Sequence, residues 1–69
     1  MKKFSENLKE IRTQKNVKQT DLAEVCGLSV RQIIRYEQGT SEPTLSILIK
    51  MADFFNISLD DLCGHNKEK

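Results

Sequence analysis

The stretch CGLSVRQIIRYEQG, Cys26 to Gly39, decides how this chain is read. A helical pattern stops at Gly27, restarts at Ser29 and runs on to Gly39. Gly27 suits a tight turn between helices, because such a turn often needs a positive φ that glycine adopts without steric cost. Ser29 is a capping serine, and Gln32 three residues on completes the pattern of a capping box. Gly39 stands where a helix C-terminus favours glycine. The spacing predicts a helix over 30–38. On a helical wheel Ile33, Tyr36 and Glu37 share one side, while Arg31, Arg35 and Gln38 share the other. Val30 and Ile34 lie on the shoulder of the arginine side. The buried side is therefore expected to be Ile33 and Tyr36.

Upstream, residues 19–26 read as a second short helix with Leu22, Ala23 and Cys26 inward. Lys18 is a poor cap for it, and Asp21 in its first turn partly compensates through the helix dipole. Two short helices joined by a glycine turn make a helix-turn-helix. An outward face with Arg31 and Arg35 suits a rod in the major groove of DNA, where arginine offers two donors to guanine O6 and N7. Val30 and Ile34 are placed to touch thymine methyl groups.

The remaining sequence predicts an all-α domain of five helices and no strands. A first helix covers about 5–15, with Phe4, Leu8 and Ile11 inward, and Asn16 ends it in a left-handed conformation. A loop, TSEP, spans Thr40 to Pro43. A fourth helix covers 45–55 and is ended by Asn56, and Ser58 caps a short fifth helix closed by Gly64. Residues 65–69 read as a flexible C-terminal tail after a single domain over 1–64.

Bulk properties narrow the function. A chain of 69 residues buries only about 60% of its unfolded surface, which leaves little room for a deep active site. The formal charge is +1, but it is unevenly spread. Residues 1–39 hold eight Lys/Arg against five Asp/Glu, and residues 40–69 hold three against five. Lys2, Lys3, Lys9, Lys15 and Lys18 lie on or beside the first two helices, a placement that also suits an ordinary solvated face. Cys26, Cys63 and His65 do not make the ligand set of a zinc site, so no metal or other cofactor is expected. Two isolated cysteines read as reduced thiols of a cytoplasmic protein. No apolar run approaches the ~20 residues of a membrane span, and MKKFSENL lacks the apolar core of a signal peptide.

The segment QTDLAEVCGLSVRQIIRYEQGTSEPTLSILIKMADFFNISLDDL, residues 19–62, resembles the phage-repressor and Cro-type helix-turn-helix family, also called the XRE family. The matching frame is Gln19, Leu22–Ala23, Gly27, Ile33, Glu37, Gly39, Pro43, Leu48, Ala52 and the ISLDDL ending. The resemblance implies a lambda-repressor-like fold and a transcriptional regulator that binds operator DNA, commonly as a dimer. It implies that Val30, Arg31 and Arg35 face the bases and that Gln32 reaches a base or a phosphate. It implies that Gln19 contacts a phosphate, that Thr40 and Ser41 approach the opposite phosphate strand, and that Lys18 puts a cation beside the backbone.

Two further features belong to the residues themselves. Arg12 adjoins the Leu8–Ile11 stripe and Glu37 sits on the inward side of its helix, so a partly buried ion pair between them is expected; the resemblance points to the same pair. On the fourth helix, Leu45, Leu48, Ala52 and Phe55 mark a core side, and Ile47, Met51 and Phe54 form a second stripe. A helix apolar on two sides is usually covered on two sides, which predicts a homodimer through Ile47, Met51, Phe54 and Leu59. Nothing supports catalysis: Asp60–Asp61 reads as dipole-favouring acids in a helix first turn. The competing reading is a protein-interaction module on the same fold, such as an antitoxin or anti-repressor.

Overall fold

In a computed structural model, the structure describes residues 3–64. They form five helices: α1 (Phe4–Gln14), α2 (Gln19–Cys26), α3 (Val30–Gln38), α4 (Leu45–Phe55) and α5 (Leu59–Cys63). The expected tail 65–69, with His65, and Lys2 lie outside the described residues. The five helices close on one another in a ring: α3 packs on α1 and α2, α5 packs on α1 and α4, and α2 packs on α4.

Local chemistry sets the ends of each helix. Ser29, Thr44 and Ser58 each accept a backbone N–H three residues on, with Oγ or Oγ1 distances of 3.2, 3.3 and 3.0 Å. Such caps satisfy donors that have no partner inside the helix. Lys18 cannot accept this bond, so α2 has half a capping box, in which the Asp21 carboxylate accepts the Lys18 N–H at 3.1 Å. The box expected at α3 is also half made: Gln32 supplies the N–H to Ser29, but its side chain turns elsewhere. Left-handed residues stop the helices: Asn16 and Asn56 at φ 58° and 59°, Gly27 and Gly39 at φ 70° and 80°. At Gly39 space is also short, since an added Cβ would lie 3.3 Å from Ser5 Oγ.

The core is built from Leu8, Leu22, Ala23, Cys26, Ile33, Tyr36, Met51, Ala52, Phe55 and Leu62. Full burial of an aliphatic side chain such as Ile33 contributes about 1.5–3 kcal/mol. Among the described residues, Asn7 is the buried polar residue. Its Nδ2 donates to the carbonyls of Asp61 and Leu62 at 2.5 and 2.7 Å, which ties α1 to the end of α5. Among the described residues, no buried side-chain nitrogen or oxygen lacks a partner.

The structure corrects the reading of α4. Met51, expected on an outer dimer stripe, is fully buried. Leu45, expected in the core, is 64% exposed. Ile47 is half-buried against the core rather than clear of it. The physical reason is the near-continuous apolar run of this helix. Its rotation follows from how α2 and α5 pack against it, not from its own periodicity. Phe54 and Leu59 remain exposed.

Candidate nucleic-acid interface

The interface is built on α3, whose inner side is held from two directions. Ile33 and Tyr36 are buried in the core. Glu37 is fixed by charge: Arg12 Nε donates to its Oε2 at 2.6 Å and Nη2 to its Oε1 at 3.3 Å. The two side chains are only 12% and 5% exposed. Arg12 Nη1 also donates to the Val17 carbonyl at 2.8 Å, so one guanidinium joins α1, the α1–α2 connection and α3. The expected ion pair is present, and it gains a third member. Gln19 Nε2 donates to Glu37 Oε1 at 3.1 Å, locking the start of α2 to the last turn of α3.

With that side anchored, Arg31, Arg35 and Gln38 project outward and are exposed. Ile34 is half-buried on their flank. Val30 is half-buried too, and it packs against the core, so it faces outward less fully than Arg31 and Arg35. Gln32 lies on the opposite flank. Its Nε2 donates to Ser41 Oγ at 3.2 Å, which draws the loop after α3 back to the first turn of that helix. Thr40 is exposed, and its hydroxyl donates to the Arg35 carbonyl at 3.3 Å, closing the helix end. Lys18 is exposed at the start of α2.

These bonds bracket the arginine face. Glu37 and Gln32 are five residues apart, so they point roughly 140° apart around α3. Gln19 on Glu37 and Ser41 on Gln32 therefore occupy opposite flanks. The sequence signalled each of these residues singly. It carried no signal for the Gln32–Ser41 and Gln19–Glu37 bonds, because their partners are nine and eighteen residues apart across turns. Gln38 belongs to the outward face as the wheel placed it, although it was not among the candidate base readers. Its exposure adds an amide to the last turn of that face.

Among the described residues, no group of three or more His, Cys, Asp or Glu could hold a metal ion. Cys26 and Cys63 are free thiols. Burial pushes the Cys26 thiol up from its ordinary value, with nearby Lys50 opposing in part. Among the described residues, no helix is long and apolar enough to cross a membrane.

Known proteins resemble this chain in sequence and in fold. Residues 8–62 match the family described as helix-turn-helix. The cryptic phage CTXphi transcriptional repressor RstR of Vibrio cholerae serotype O1 is 39% identical over 62 residues, which are 90% of this chain and 55% of that repressor. This chain therefore spans little more than half of that relative's length. A transcriptional regulator from Listeria innocua superposes with a TM-score of 0.88 at 30% identity, over 97% of this chain and 63% of that one. The P22 c2 repressor, solved in complex with synthetic operator 9T, superposes with a TM-score of 0.86 over 96% of this chain and 100% of its own. At 21% identity that last likeness is one of fold. The five-helix, lambda-repressor-like architecture and the matched residues together place this chain in the phage-repressor and Cro-type helix-turn-helix family.

Proposed function

We propose that this protein is a sequence-specific double-stranded DNA-binding transcriptional regulator, a repressor rather than an enzyme, and that α3 enters the major groove. The observation that carries the reading is the exposure of Arg31 and Arg35 directly opposite buried Ile33 and Tyr36. A helix held so firmly from behind presents its guanidinium groups in one orientation, and bidentate readout of guanine needs such a fixed fork. Arg31 and Arg35 read base edges, with Ile34 and the outward part of Val30 against thymine methyls. Lys18, Gln19 and Ser41 contact phosphates on the two flanks, and such contacts set register without carrying sequence information; Thr40 stands beside them as a helix cap whose hydroxyl is already given to the Arg35 carbonyl. The domain that does this spans residues 1–64.

The regulator works as a homodimer. Phe54 at 41% and Leu59 at 38% exposure are apolar surface that a second copy would cover, with Ile47 at the margin. Met51 takes no part, being buried. A symmetric pair spaced about 34–36 Å between its α3 helices fits one turn of DNA on a pseudo-palindromic operator.

Selection of bound sequences from a random duplex pool tests this function, followed by affinity measured against salt. A recovered motif and an affinity that falls steeply with salt are the expected results. Failure to enrich any sequence, with salt-insensitive capture of a protein instead, would favour an interaction module.

A further inference from the structure

Gln32 has the position of a base reader, yet its side chain is turned away from the arginine face and bound to the protein itself. Its Nε2 donates to Ser41 Oγ at 3.2 Å, and both residues are half-buried on the flank of α3. The direction of this bond matters. A serine hydroxyl has one proton and two lone pairs. When it accepts from Gln32, its own proton is left to be given, and no other described residue takes it. The neighbouring hydroxyl differs. Thr40 already donates its proton to the Arg35 carbonyl at 3.3 Å, as a helix cap. Of the two loop hydroxyls, Ser41 is the one still able to donate to an acceptor outside the protein.

We propose that Gln32 is a positioning residue rather than a base reader: it orients the Ser41 hydroxyl as a donor to a DNA phosphate, in a relay from Gln32 amide to Ser41 hydroxyl to phosphate oxygen. The proposal deepens the DNA-binding reading and rests on it. Each donor in such a chain polarises the next, so the second bond is stronger than a lone serine would make. The final acceptor carries charge, which strengthens it again. Since Ser41 is neutral, the contact adds affinity without adding a neutralised phosphate to the salt dependence. The relay also ties the loop to the first turn of α3, so the phosphate contact and the depth of α3 in the groove are set together.

The experiment is a double-mutant cycle on the full chain, with Gln32→Ala, Ser41→Ala and both together. Affinity is measured for the selected duplex and for a scrambled one, with melting temperatures as a folding check. Each single variant is expected to lose roughly threefold to tenfold in affinity, by about the same factor on both duplexes. The double variant should lose little more than either single one, the salt slope should stay unchanged, and the selected motif should be the same for Gln32→Ala as for the unsubstituted chain. Ser41→Thr keeps a hydroxyl and should keep most of the affinity, together with the sensitivity to Gln32→Ala. Additive losses, or a changed base preference in Gln32→Ala, would overturn the relay while leaving DNA binding in place. No binding by the unsubstituted chain would overturn both.

Discussion

Helices α3 and α4 have similar lengths and opposite problems. Nine residues of α3 carry two arginines, two glutamines and a glutamate, and its apolar residues fall largely on one side. Only one rotation of this helix hides Ile33 and Tyr36 while leaving Arg31 and Arg35 in water. Eleven residues of α4 carry seven apolar side chains besides Ala52, with only Ser46, Lys50 and Asp53 polar. Several rotations of α4 bury a plausible stripe. The observed one hides Met51 and Phe55 and leaves Leu45, Ile49 and Phe54 exposed. Amphipathic contrast, more than apolar content, is what makes a helix face legible.

The comparison breaks most readily at the anchored side of α3. Glu37→Gln leaves Arg12 buried without its charge partner and should cost about 3–5 kcal/mol, a large part of what so small a domain has. Denaturant titration checks this against Glu24→Gln, an exposed change expected within about 0.5 kcal/mol. Equal effects would mean that the ion pair does not anchor the helix.

The rotation of α4 is tested next. Met51→Ala empties a fully buried site and should cost about 2–5 kcal/mol. Leu45→Ala removes a side chain that is mostly in water and should stay within about 0.5 kcal/mol. A reversed order in thermal or denaturant unfolding would restore the stripe read from the sequence.

On the outward side of α3 the effect moves from stability to recognition. Arg35→Ala should leave unfolding nearly unchanged but lose about 1–3 kcal/mol of discrimination at one base position, read by competition between operator variants. Lys18→Ala should instead weaken binding to all duplexes and reduce the salt slope by about one. The smallest perturbation is chemical. A thiol reagent should modify half-buried Cys63 roughly tenfold or more faster than Cys26, whose burial keeps it protonated and out of reach. Mass spectrometry of the partly modified chain reads the order.

Legibility in the candidate site followed the same rule. Arg31, Arg35, Ile33 and Tyr36 could be placed from spacing alone, and the Arg12–Glu37 pair from two charges turned toward the core. Gln19 and Gln32 could not. Each has a side chain long enough to reach outward or inward, and the choice depends on Glu37 and Ser41, which the turns bring near. Asn7 escaped notice for a related reason. Its partners are backbone carbonyls more than fifty residues away, and carbonyls leave no trace in sequence.

By itself the sequence determined where the helices begin and end, through Ser29, Ser58, Gly27, Gly39, Asn16 and Asn56. Capping and left-handed termination act over three or four residues and need no tertiary partner. It also determined which side of α3 meets water, because charge and apolar groups are separated there. Tertiary structure alone decided which apolar side of α4 is buried, and which residues the two glutamine amides hold. Burying one oily stripe rather than another depends on the shape of the neighbouring helices, and a hydrogen bond across a turn exists only once the fold brings its two ends together.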